Sequence, residues 1–285
     1  LIKKATWPTE WIMQSILIAW NDYLYTGNKQ SLETFYTDLK KKSLISLADN
    51  DNLLNTKKDN MDNALMLSVN ALWPIGDLVD WPQPSEVSKI GETDGFVFSE
   101  KNAVINAYHY KAISLLKEIS KALGHKNDYD FFLQRQELIK QGYRKLFFNP
   151  STGLYVDGIG TQHSSLHTNM FALTFGLVPD PEKEKVASFI RSRGMACSVY
   201  GAQFLLDAVY DANDSAYGKQ LLTKTDKRSW YNMIRVGSTI TMEAWDNEFK
   251  SNLDWNHAWG AAPANIIARK LMGIEPLEPG FKKIG

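Results

Sequence analysis

The chain has 285 residues, 44% of them hydrophobic, and 32 lysines and arginines balance 32 aspartates and glutamates to a formal net charge of +0. Without a basic block to attract a phosphate backbone, nucleic acid is excluded as an expected partner, and no apolar stretch approaches the roughly 20 residues needed to cross a bilayer, so no membrane partner is expected either. A chain of this length buries about three quarters of its unfolded surface, which predicts one domain over residues 1–285, and the lone Cys197 excludes an intrachain disulfide.

In chain order, Trp11, Ile12, Ile16, Ala19, Trp20, Tyr23 and Leu24 recur at three-and-four spacing from Thr9, with Pro8 at a first-turn position and Gly27 closing the run. This predicts a first helix. Leu32, Phe35, Tyr36, Leu39, Leu44 and Leu47 predict a second over 31–47, with Lys40, Lys41 and Lys42 as a solvated stretch. The segment from Trp73 to Glu100 is irregular and holds Trp73, Asp77, Asp80, Trp81, Asp94 and Phe96 among prolines and glycines. A stretch of that length is functional or disordered, and its aromatic content favours a wall of a site. Helical patterns follow over 102–123 and 129–147, expected to pair antiparallel, then over 166–177, 181–193, 201–212 and 215–222, with a last helix over 255–272. Strand signals are confined to short pieces such as 153–157. The organisation is all-α, and it fits a toroid of paired helices whose inner members converge on one funnel and whose long loops build a concave site at one end.

The strongest candidate for chemistry is Glu243, in Ser-Thr-Ile-Thr-Met-Glu-Ala-Trp over 238–245, with Trp255, Asn256, His257, Ala258 and Trp259 close behind. Rings stack on the carbon-hydrogen faces of a sugar, a carboxylate handles a proton, and burial among rings is expected to raise the carboxyl's basicity. The plain alternative is a carboxylate at a helix end or core rim. Three other patches share this polar-aromatic character: Gly76-Asp77-Leu78-Val79-Asp80-Trp81-Pro82, Gln162 to Asn169, and Ser198-Val199-Tyr200-Gly201-Ala202-Gln203. Polar residues crowded at the starts of apolar helices supply a rim of hydrogen-bond partners for a polyhydroxylated ligand. Each has an ordinary reading as well: Ser164, Ser165 and Asn169 as helix caps, Asp77 and Asp80 as turn formers, His257 as a core histidine. His163 and His167 share the spacing of metal ligands, but no glutamate base lies between them and no third ligand is signalled, so no metal is expected. A Gly-x-Ser-x-Gly elbow and glycine-rich phosphate loops are both missing from the sequence, which removes serine hydrolases, phosphoryl transfer and hydride transfer.

These segments, taken together and in order, resemble the catalytic domain of bacterial α-L-rhamnosidases of glycoside hydrolase family 78. The carriers are Trp7-Pro8-Thr9-Glu10-Trp11, Asp80-Trp81-Pro82 with Asp94-Gly95-Phe96-Val97-Phe98, the two patches at 162–169 and 198–203, Met242-Glu243-Ala244-Trp245, and Asp254 to Gly260. The resemblance implies an (α/α)6 barrel, inverting hydrolysis of terminal α-L-rhamnosides without a cofactor, and a rhamnose-containing oligosaccharide or glycoside as substrate. It makes Glu243 the general base and Asp80, Trp81 and His257 substrate-binding positions, with Trp7 and Trp245 as aromatic walls and His167 and Tyr200 on the same binding surface. Met242 stands where the family has a tryptophan, which alters a wall contact. The family's general acid belongs to an acidic motif on a segment preceding Leu1, so the barrel is expected to be incomplete at its N-terminal side and the isolated chain to have negligible rhamnosidase activity. Accessory β-domains on the same polypeptide and a periplasmic or extracellular location follow by the same analogy.

Two rivals remain. One is another toroidal carbohydrate enzyme, such as a lyase, epimerase or glucosidase; a lyase would make Tyr200 or His167 the base. A helical-repeat scaffold binding proteins would need a recurring motif of 34 to 47 residues, and none recurs.

Overall fold

The computed structural model describes residues 7–71, 74–83 and 91–285. Trp73 lies outside them, as do residues 84–90 of the same predicted wall. Helix α1 (Thr9–Thr26) begins after the extended Pro8 and stops at Gly27, whose left-handed φ of 72° turns its N–H back to the Tyr23 carbonyl. Such an ending favours a residue without a Cβ. Then come α2 (Gln30–Lys42), α3 (Asn63–Ser68), α4 (Ala103–Leu123), α5 (Lys126–Phe147), α6 (Leu166–Thr174), α7 (Asp180–Arg193), α8 (Gly201–Asp211), α9 (Ser215–Leu222), α10 (Trp230–Arg235) and α11 (Ala262–Ile266).

The departures from expectation have local causes. The second helix ends at Lys42 rather than 47, because Leu44 takes a left-handed φ of 58° and sends the chain into a short 3-10 turn, Ile45–Leu47. The last helix does not begin at Trp255. His257 is extended, a 3-10 turn follows over Ala258–Ala261, and α11 passes into a π-turn over Ile267–Leu271. Two short helices, α3 and α10, were not signalled by periodicity; each is started by a capping side chain, Asp62 on the Leu65 N–H and Ser229 on the Asn232 N–H. The strand expected over 153–157 is β4 (Leu154–Tyr155), antiparallel to β3 (Phe148–Asn149), while β1 (Trp7–Pro8) pairs in parallel with β2 (Ile75–Gly76).

Burial sorts the helices into two rings. Helix α4 is covered on all sides, from Ala103 through Tyr110 without a break, and α6 is buried from Leu166 to Leu173. Helices α2, α5 and α7 bury one stripe each, such as Phe132, Ile139, Tyr143 and Phe147 of α5. A helix apolar all round belongs inside and one with a single stripe belongs outside. The neighbours agree: α1, α4, α6, α8 and α11 succeed one another side by side, α2, α5, α7 and α9 back them, and β5 (Pro276–Glu278) with the turn Pro279–Phe281 packs on α1. Because one outer helix separates consecutive inner ones, α4, α6 and α8 run in the same direction.

A layer of side chains crosses the ring's axis. Gln14 of α1 donates from its amide nitrogen to the hydroxyls of Tyr108 and Tyr200, which lie 2.9 Å from each other. Phe171, Phe175 and Phe204 pack around Tyr108, with ring centroids 4.9 to 5.9 Å away. On one side of this layer are Trp11 and Trp259, both against Tyr200. On the other is a cavity of about 710 Å³ lined by residues including Trp20, Lys111, Phe204, Asp207 and Arg269.

Candidate active site

The N-termini of the inner helices gather at one end of the ring, and residues 74–83 run across them. A carboxylate meets each helix start. Glu10, in the first turn of α1, accepts from the Val79 N–H at 2.6 Å. Asp77 accepts from Asn102, the cap of α4, at 2.7 Å, and from Thr56 at 2.6 Å. Asp157 takes the Ser165 N–H and the Thr168 hydroxyl at the start of α6, and Asp94 takes the Leu166 N–H and the Arg193 guanidinium. Acceptor oxygens at these positions complement the orphan N–H groups, and the ionised ones the helix dipoles as well. Burial, with Asp77 adding to it, pushes the Glu10 carboxyl up to about 8 against its backbone donors, so at neutral pH Glu10 is mostly protonated. Val79, which Glu10 holds, sits at φ 68°, an unfavourable conformation for a β-branched residue.

Asp80 is the centre of this rim. One oxygen lies 2.7 Å from His167 Nε2 and 2.9 Å from the Ser198 N–H; the other takes the Trp81 N–H at 2.8 Å and the Ser198 hydroxyl. The predicted rim residues therefore do come together, but not as a ligand shell. Asp80 and His167 are fully buried and bind each other, so their expected direct contact with a sugar is corrected here: they join residues 74–83 to α6 and α8. His163 turns instead to Asp157, and among the described residues no group of His, Cys, Asp and Glu is arranged to hold a metal. Trp81 is 36% exposed on the rim, and Trp7 is half-buried where β1 meets β2.

Glu243 stands on a loop between α10 and the Ala258–Ala261 turn that folds back on itself. The Glu243 N–H donates to the Asp254 carbonyl at 2.9 Å and the His257 N–H to the Thr241 carbonyl at 2.8 Å. Indoles brace the loop from below: Trp259 donates to the Glu243 carbonyl at 2.8 Å, Trp230 to Gly260 at 2.7 Å, and Trp245 to the Cys197 carbonyl at 2.8 Å. Gly260 has no room for a side chain, since a Cβ would fall 2.7 Å from Thr241 Cβ and 2.9 Å from the Met242 carbonyl. Trp245 is completely buried against Trp230 and Met242 is buried too, which corrects the expectation that both form site walls: they fill the core under the loop. The wall is built by Tyr200 and by two rings that were not assigned a binding role, Trp11 and Trp259, with the His257 ring tilted against Trp259 at 4.3 Å.

Glu243 is 8% exposed. One of its oxygens, Oε2, accepts from Lys250 Nζ at 2.8 Å and from the Asp254 N–H at 2.9 Å. Burial raises the carboxyl, as expected from its setting, but the Lys250 ammonium and the Asp254 N–H, helped by His257, outweigh it and leave the group below the usual glutamate range. Glu243 is thus ionised at neutral pH. Lys250 carried no signal in the sequence, because a lysine seven residues from a glutamate on an irregular loop has no fixed relation to it.

Comparison with known proteins places this geometry. Residues 2–271 match the bacterial alpha-L-rhamnosidase 6 hairpin glycosidase domain. The fold is that of a GH78 rhamnosidase from Bacillus sp. GL1, with a TM-score of 0.75 at 18% identity over 98% of this chain and 28% of that one. An alpha-L-rhamnosidase from Dictyoglumus thermophilum gives 0.72 at 21% identity over 97% of this chain and 29% of that one. The ring of helices is therefore the helical toroid of the six-hairpin glycosidases. The chain belongs to the family of bacterial α-L-rhamnosidase six-hairpin domains. It is also 24% identical over 303 residues to an alpha-L-rhamnosidase from Alteromonas sp. (strain LOR), matching 99% of its own length but 30% of that relative's.

Proposed function

We propose that this chain is the helical-barrel portion of an inverting α-L-rhamnosidase in which Glu243 is the general base. The observation that carries the reading is an ionised carboxylate, nearly buried, at the ring-lined end of the toroid where the inner helices begin. Among the described residues its Oε1 takes no hydrogen bond, and it is available to a water, which it deprotonates as that water attacks the anomeric carbon. Trp11, Tyr200 and Trp259 offer apolar faces for a deoxysugar, and His257 and the exposed Trp81 supply polar and aromatic contacts at the mouth. The fold relative from Streptomyces avermitilis, with a TM-score of 0.67 at 16% identity over 94% of this chain and 24% of that one, is complexed with L-rhamnose, which supports this sugar as the occupant.

Inversion also requires a carboxylic acid about 6.5–9.5 Å from the base to protonate the leaving oxygen. The family resemblance assigns that acid to polypeptide before Leu1, and accessory β-domains and a periplasmic or extracellular setting belong to the same proposal. A lyase reading fares worse. Tyr200 is pushed up by burial and bonded to Tyr108 and Gln14, and His167 is sealed against Asp80. The test is Glu243→Gln in the complete protein assayed on an aryl α-L-rhamnoside. A fall in kcat of about a thousandfold, ~4 kcal/mol, with KM little changed, is expected; unchanged turnover would assign Glu243 a structural role.

A further inference from the structure

Glu243 is held asymmetrically. Among the described residues, Oε2 carries both of its hydrogen bonds, from Lys250 Nζ and the Asp254 N–H, while Oε1 carries none. Lys250 is itself fixed. It closes the turn that begins at Asp246, whose carbonyl accepts from the Phe249 N–H at 3.0 Å, and its ammonium also donates to the Asn252 carbonyl at 3.0 Å. Its side chain is as hidden as that of its partner, 13% exposed against 10% for Glu243, so this is not a solvated surface pair that salt and motion would erase.

We propose that Lys250 is a positioning residue for the base: its ammonium pins one oxygen of Glu243 and leaves the other turned toward the sugar to hold the attacking water. The inference rests on reading Glu243 as the base. An unpinned carboxylate next to rings would gain a proton readily and could rotate either oxygen toward the site. Among the described residues the groups facing Glu243 are Lys250 and the Asp254 N–H from its own loop, and His257 at the start of the Ala258–Ala261 turn. The nearby Asp246, held by Asn232, and Asp254, exposed, are acids and supply no positive charge in the lysine's place.

The experiment is a pH titration of the Glu243 carboxyl by isotope-edited infrared spectroscopy in the full chain, with the Glu243→Gln difference spectrum identifying its band. Lys250→Met is expected to move the midpoint up by about one pH unit or more, the scale of an adjacent opposite charge, while Lys250→Arg keeps it near the starting value. Lys250→Gln, which retains a donor without charge, should follow Lys250→Met, and near-ultraviolet circular dichroism shows which variants keep the packed fold. In the complete enzyme the acid limb of kcat should move upward with the titration while KM stays within about twofold. An unmoved Glu243 midpoint in folded Lys250→Met or Lys250→Gln overturns the inference, as does Lys250→Arg behaving like Lys250→Met. Failure of the underlying reading looks different: Glu243→Gln would then retain turnover whatever Lys250 does.

Discussion

Asp80 illustrates how far a side chain's partners can lie from it in sequence. A carboxylate beside an indole in a glycine- and proline-rich loop reads as a sugar ligand, and the sequence holds no sign that its oxygens point the other way. Its partners, His167 and Ser198, are 87 and 118 residues away. Once buried there, Asp80 is costly to disturb. Asp80→Asn swaps one acceptor for a donor facing the Ser198 N–H or His167, and a loss of about 3 kcal/mol is expected in urea unfolding. Gly201→Ala should reproduce much of that loss without touching a charge, because its Cβ would fall 2.6 Å from the same Asp80 oxygen. If Gly201→Ala unfolds at the parental urea midpoint, Asp80 is not the tie between residues 74–83 and α8. Glu243 was legible for the opposite reason: Trp259 and His257 lie within sixteen residues of it and the loop folds them back, whereas the wall rings Trp11 and Tyr200 come from distant segments.

At the scale of elements, what could be read from sequence was what periodicity controls. Helix α4 was plain because its apolar residues recur at helical spacing beside a polar stripe of Lys111, Ser114, Lys117 and Lys121, and α1, α5, α6, α7, α8 and α9 fell within a few residues of expectation. The onset of the last helix was not, since Trp255 and His257 mimic a helical repeat while their backbone serves the Glu243 loop. Nor was the function of Glu10, which lies in the first turn of α1 and looks like an ordinary dipole-matched acid. In the fold its pKa rises from 4.5 to about 8, so the native state binds more protons than the unfolded chain between those values. Stability contributed by this group is full below about pH 4.5 and is lost as pH rises toward 8, on the order of a few kcal/mol. Asp77 and Glu92 are raised by burial as well and add slope of the same sign. Glu10→Gln should therefore flatten, without abolishing, the decline in thermal midpoint between pH 5 and 8 measured by calorimetry. An identical slope in the variant would mean that Glu10 is ionised in the native state.

The whole molecule is a ring blocked across its middle by Gln14, Tyr108 and Tyr200. The cavity beyond that layer is walled at its far end by ion pairs, Arg269 with Asp207 and Glu275, and Lys270 with Asp211 and Glu275, which fasten the C-terminal segment to α8. Glu243, Trp11, Tyr200 and Trp259 do not line that cavity. Under the proposed function, with the Gln14, Tyr108 and Tyr200 layer between the Glu243 site and that cavity, a strand's last unit is lowered in and the freed monosaccharide leaves by the door it came through. On the proposed activity, a rhamnose-ended oligosaccharide should be trimmed from that tip alone, and one whose terminal rhamnose carries a bulky ether should be inert when the products are resolved by chromatography. Internal fragments released from the capped oligosaccharide would mean that the axis is open in solution.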